Sequence, residues 1–202
     1  MQNRRIVIGA AVLTGALALA ACGSDKKDSK SDTPATSADN KPAASALSWP
    51  APADASAQTK AAGLPMLGAE GQVLHIHSHL DVFVDGKAVT VPAEIGIDLN
   101  RQQISPLHTH DTSGVVHIES PVKADFTLGQ FMTEWNVPIS KDALGPLKTG
   151  GGKELHLFVN GKEVSGDPAA IKLGAHEEIA VVYGSPANKV TVPASYNWPQ
   201  GL

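Results

Sequence analysis

The stretch His75–Gly86, HIHSHLDVFVDG, alternates three histidines with other residues and then runs through valine and phenylalanine into Asp85-Gly86. Asp-Gly between valine-rich runs predicts a two-residue type I′ turn, which needs positive φ at both central positions. The resulting hairpin sets Val84 against Lys87, Val82 against Val89 and Leu80 against Val91. Side chains alternate along a strand. One face therefore carries Leu74, Ile76, Leu80, Val82 and Val84, and the other carries His75, His77, His79, Asp81 and Phe83. The period of two lines three imidazoles along one side of a strand whose opposite side is apolar.

Working outward, KELHLFVNGKEV (Lys153–Val164) repeats the same grammar. HLDVFVDGKAV and ELHLFVNGKEV align without a gap, which predicts a second hairpin turning at Asn160-Gly161. Between the two, Thr127 and Gln130 have capping-box spacing and Phe126 and Phe131 the spacing of a hydrophobic staple. Phe131, Met132 and Trp135 supply the apolar stripe of a helix, and Pro138 ends it. Asp54 caps a short Ala-rich helix that stops at Ala62, before Gly63. SKDALG (140–145) reads as one further helical turn, and EEIAVVYG (177–184) and NKVTVPA (188–194) as strands. These elements give an α+β class, mainly antiparallel β with one or two short helices. A sandwich, a small barrel and a β-grasp-like sheet all fit.

Six of the eight histidines fall between His75 and His117. The second run, LHTHDTSGVVHIES (Leu107–Ser120), places His108 and His110 on one strand face. DTSG reads as a turn that returns His117 and Glu119 alongside. Imidazole is the commonest metal ligand near neutral pH. Histidines two apart on a strand point the same way, with α-carbons ~6–7 Å apart, close enough to share an ion. His75, His77, His79, His108, His110 and His117 are therefore the candidate metal ligands. Asp81, Asp111 and Glu119 stand nearby as supporting carboxylates. His75 and His79 are ~13 Å apart on a straight strand, so one of the first three must support the site or serve a second ion. His156 and His176 stand alone, although His156 aligns with Asp81 in the hairpin repeat.

Cys22 is the only cysteine, so there is no disulfide and no thiolate pair for a metal. After the first 21 residues the only methionines are Met66 and Met132, which argues against a dedicated Cu(I) carrier. Nitrogen-rich sites with some carboxylate suit Zn(II) or Cu(II), and also Fe(II), Ni(II) or Mn(II). Zn and Cu are the first choices outside the membrane. TGGGK (149–153) lacks the spacing of a phosphate-binding loop. No G-x-S-x-G nucleophile motif occurs.

The N-terminus has a positive start (Arg4, Arg5) and an apolar run, Ile6 to Ala21, too short for a membrane span. Its end, LAAC, resembles the lipobox of bacterial lipoproteins. That resemblance implies a signal peptide over 1–21 and lipidation of Cys22, which would hold the chain to the outer, extracytoplasmic face of the cell membrane. Residues 22–50 are rich in Ser, Ala, Asp, Lys and Pro and read as a disordered tether, with an r.m.s. span of about 25–30 Å. Residues 51–202 then form a single β-rich domain. Loss of Arg4 and Arg5 with the signal makes the formal charge two units more negative than −4. No basic stripe is present, so nucleic acid is not an expected partner.

HIHSHLDVFVDG, VPAEIGID, LHTHDTSGVVHIESP and FTLGQFMTEW together resemble a family of small, uncharacterised exported proteins of bacteria and archaea. The likeness spans Leu74 to Trp135, and it is thinner through VNGKEVSGDP. No activity is carried over from that family. The His-x-His pairs with a carboxylate and a later histidine also resemble cupins. A cupin-like Glu would fall near Val115, however, and Glu119 comes later, so cupin chemistry is not implied. The expected function is a membrane-tethered metal-binding protein for sequestration, delivery or sensing of Zn or Cu. The alternatives are a metal-dependent hydrolase or oxygenase, and a non-metal binding module with a histidine-rich polar face.

Overall fold

The computed structural model describes residues 47–202. The signal peptide, Cys22 and most of the expected tether lie outside them. The order along the chain is α1 (Ala55–Ala61), β1 (Leu74–Val84), β2 (Lys87–Val89), β3 (Ile97–Asp98), β4 (Gln103–Ile104), β5 (Leu107–His108) and β6 (Val115–Ser120). It continues with α2 (Leu128–Glu134), β7 (Ile139–Ser140), β8 (Ala143–Leu144), β9 (Leu147–Lys148), β10 (Glu154–Val159), β11 (Lys162–Val164) and β12 (Glu178–Gly184). The domain is α+β.

The main sheet has the order β11-β10-β12-β1-β6-β5, with β2 also paired to β1. Both Asx-Gly hairpins are present. Asp85 and Gly86 have φ of 51° and 81°, and Asn160 and Gly161 have 51° and 73°. Val84 pairs with Lys87 and Val82 with Val89, as the sequence requires. The third expected pair, Leu80 with Val91, does not form, because the Leu80 amide donates to the Gly114 carbonyl instead.

β1 runs parallel to β12, from His79–Glu178 to Val84–Tyr183. This is the one parallel pairing in a sheet that is otherwise antiparallel. The first hairpin, β1–β2, contributes β1 to this central pair, and the second, β10–β11, borders it through β12. The strand order stays open at both ends, so neither a closed barrel nor a sandwich of two large sheets forms.

The apolar face of β1 behaves as its pattern dictates. Leu80, Val82 and Val84 are buried with Ile179, Val181 and Tyr183 of β12, Leu157 of β10 and Val116 and Ile118 of β6. Helix α2 covers this face with Phe131 and Met132, followed by Trp135 at its C-cap. Its N-terminus carries the full capping box between Thr127 and Gln130, worth about 1 kcal/mol at the cap. Helix α1 starts at Asp54, whose carboxylate accepts from the Ala57 amide, and Gly63 follows at φ 75°.

Three sequence expectations are corrected. SKDALG is not helical. Its residues belong to β7 and β8, which with β9 make a small three-stranded meander. NKVTVPA joins no strand. Val190 and Val192 instead line a cavity with Phe158 and Val182, which explains their apolar character. The folded domain also begins earlier than residue 51. Trp49 packs edge-on against Trp135, and the Trp135 indole N–H donates to the Trp49 carbonyl at 3.0 Å.

Candidate metal centre

The face of the sheet opposite the core carries the histidines, and its register decides which of them meet. Across β1 and β6, His75 faces Glu119 and His77 faces His117. Across β6 and β5, His117 faces His108. Directly opposed residues in an antiparallel pair have Cβ atoms ~4.5–5.5 Å apart. The register alone therefore makes a row, His77–His117–His108, with His75 and Glu119 beside it.

His110 joins from just beyond β5. Thr109 anchors this turn of chain: its hydroxyl donates to the Pro92 carbonyl at 2.7 Å, and its amide donates to the Ile95 carbonyl. With Thr109 held inward, His108 and His110 project to the same side. Their rings lie 4.8 Å apart, and the His117 ring is 5.2 Å from His108 and 4.5 Å from His110. The His77 and His117 rings are 4.5 Å apart. The two histidine-rich runs thus converge, as their alternation implies.

Glu119 sits at the centre and not at the margin that the sequence suggested. It is 2% exposed. Its Oε1 accepts from His117 Nδ1 at 3.0 Å and lies 3.4 Å from His75 Nε2 and 3.9 Å from His77 Nε2. Its Oε2 lies 4.0 Å from His108 Nε2. Burial pushes the Glu119 carboxyl up, but the His117 hydrogen bond and the neighbouring imidazoles outweigh it and hold it below its ordinary value.

His108 is fully buried, and its tautomer follows from its partner. Nδ1 lies 2.9 Å from the Ser105 carbonyl, which can only accept, so Nδ1 carries the proton. Nε2 then presents a bare lone pair. Burial is the chief cause that lowers the His108 pKa to about 4, and burial then His117 and His75 lower that of His77 to about 4. Both rings are neutral at pH 7, the form that ligates metals. A ring N–H held by a backbone carbonyl is the usual second contact of a metal-bound histidine.

Three buried polar atoms in this cluster have no hydrogen-bond partner: His77 Nε2, His108 Nε2 and Glu119 Oε2. An unpaired buried polar group costs about 1–3 kcal/mol, and more when charged. His108 Nε2 and Glu119 Oε2 are both acceptors, so they cannot satisfy one another. A cation between them can. One nitrogen each from His108, His110 and His117 lie within 4.8 Å of one another, and so do ligand atoms of His75, His77 and Glu119. These groups could hold a metal ion.

The remaining candidates are placed elsewhere. His79 shares the face of His75 and His77, but both its nitrogens are engaged. Nδ1 is 2.8 Å from Glu178 Oε2 and Nε2 is 2.8 Å from the Ser113 carbonyl, while Tyr196 stacks on the ring at 3.9 Å. Burial works against protonating His79, but the Glu178 carboxylate and Ser113 overcome it and raise its pKa. Asp81 borders this second group, 4.0 Å from His79. Asp111 accepts from the Ser113 amide and shapes the turn. His156 is bound by Glu154 and Glu163, and His176 contacts the Leu202 carbonyl. Neither joins the cluster.

Sequence reasoning missed two carboxylates. Glu70 reaches within 3.7 Å of His110 Nε2 from the loop before β1, a segment with no periodicity to read. Glu178 meets His79 only because β12 pairs parallel to β1, across 99 residues. The chain has no match among protein-family models, curated proteins or solved structures.

Proposed function

We propose that this chain is a lipid-anchored, extracytoplasmic metal-binding protein that takes up Zn or Cu for sequestration, delivery or sensing. One observation carries the reading. His108 Nε2 and Glu119 Oε2 are buried, unprotonated acceptors 4.0 Å apart with no hydrogen-bond partner. A cation between them satisfies both lone pairs at once, and the ring of imidazoles around them supplies its further ligands. The donor set is imidazole and carboxylate without thiolate, which favours Zn(II) or Cu(II) over Cu(I). Anchoring through Cys22 and export rest on the LAAC sequence and the apolar run before it.

The test is metal content. The full chain, loaded with Zn(II) or Cu(II) and freed of excess, should retain metal through gel filtration. The double substitution His108→Ala with His110→Ala should abolish most of it, and His156→Ala should not. Full retention by the double variant would remove the assignment.

A further inference from the structure

Resting on the metal-binding reading, we infer that the cluster holds two divalent ions bridged by Glu119, one in a closed site and one with an open position. The donors are too many and too widely spread for one ion. Five imidazoles and two carboxylates, Glu119 and Glu70, converge, whereas a Zn(II) site ordinarily uses four ligands or three and a water. His77 stands on β1 and His108 on β5, with β6 between them. Neighbouring strands are ~4.7–4.9 Å apart, so these two residues are separated by about two strand spacings. Each nonetheless has a buried, unpartnered Nε2. An ion that satisfies one leaves the other bare.

Glu119 faces both halves. Oε1 lies 3.4 and 3.9 Å from His75 and His77 while accepting from His117 Nδ1 at 3.0 Å, and Oε2 lies 4.0 Å from His108. Its second oxygen is the third orphan of the cluster. A carboxylate that presents one oxygen to each of two nitrogen sets has the arrangement of a bridging ligand. Paired ions in such sites lie ~3.5–4 Å apart.

The two halves differ. The first ion takes Glu119 Oε2 and one nitrogen each from His108, His110 and His117. His117 donates from Nδ1 to Glu119, which leaves its Nε2 free to ligate. Four protein donors is the number of a closed site. The second ion takes His75, His77 and Glu119 Oε1, which are three protein ligands. Its fourth position opens beside His75, whose side chain is 43% exposed. That position suits a water, or an anionic or nitrogenous ligand from solvent. A cavity of about 560 Å³ lined by Leu155, His156 and Leu157 lies on β10, and its lining includes none of these ligands.

The probe is Cu(II) added to the full chain in detergent, with bound metal counted after gel filtration and spin coupling read by electron paramagnetic resonance. Two Cu(II) per chain are expected, with a signal broadened or lost through coupling of adjacent ions. His75→Ala changes an exposed side chain and should lower the count to one, with an uncoupled signal. One ion in the unmodified chain, or two that are uncoupled, overturns the bridged pair and leaves the metal-binding reading intact. No retained ion overturns both.

Discussion

His108 Nε2 and Glu119 Oε2 stand 4.0 Å apart inside the protein, acceptor facing acceptor. An apoprotein that keeps this contact spends folding stability on it, because neither group has a donor within the protein. Glu119→Gln supplies one, since the amide can donate to His108. In chelator the variant should be more stable than the parent by roughly 1–3 kcal/mol. Its metal affinity should fall, because the bridging carboxylate is gone. Urea unfolding in chelator checks the first effect. A less stable variant would contradict the orphaned pair.

Acid should destabilise the apoprotein over a defined window. The folded pKa values of His77 and His108 are lowered to about 4, from an ordinary 6.5. Between those values the unfolded chain binds protons that the folded chain refuses. Their contribution to stability is present above pH ~6.5 and is lost as pH falls toward 4. The urea midpoint in chelator should decline through that window. The decline should be shallower in His108→Gln, and equal slopes would count against the burial-driven shift.

Glu134 should act in the opposite direction. It lies on α2, fully buried, and accepts from the Ser105 hydroxyl. Burial raises its pKa to about 8 from 4.5, although Ser105 and Thr59 oppose the shift. The folded state therefore holds this proton more tightly than the unfolded one. The contribution of Glu134 to stability is fully present below pH ~4.5 and is lost as pH rises through about 8. Glu134→Gln should remove that decline, so the difference between variant and parent should grow from pH 5 to pH 8. An unchanged difference would rule out a protonated Glu134.

Two glycines should be intolerant for different reasons. Gly86 needs φ of 81° for the type I′ turn, yet an added Cβ meets nothing closer than 3.5 Å. Gly86→Val should therefore cost about 1–3 kcal/mol of backbone strain. Gly114 combines φ of 88° with a crowded site, where a Cβ would fall 2.7 Å from the Leu80 carbonyl oxygen and 2.9 Å from His79 Nε2. Gly114→Ala should lower the thermal midpoint by more than Gly86→Ala does. The reverse order would indicate that the DTSG turn is looser than the structure shows.

Local sequence signals carried most of the fold. The two Asx-Gly turns, the Thr127–Gln130 capping box and the faces of β1 were all readable, because each depends on residues a few positions apart. The meeting of His108 and His117 was readable too, because one turn at DTSG sets that register, whereas the sequence left open which histidine of β1 they would meet. The parallel pairing of β1 with β12 was not, since no local pattern marks a partner a hundred residues away. That pairing captures His79 with Glu178 and removes it from the row that its spacing suggested. Glu119 was undervalued for a related reason. Its alternation placed it on the correct face, but only the His75–Glu119 register makes it central.

X-ray absorption at the Zn edge, on the full chain loaded with Zn(II), tests the central claim most directly. Zn–N/O distances of ~2.0–2.1 Å are expected, with the outer-shell scattering of several imidazoles and no sulfur. His108→Ala with His110→Ala should erase most of the imidazole signal. A first shell of water oxygens alone, or an imidazole signal that survives the double substitution, would contradict a metal centre built on this face of the sheet.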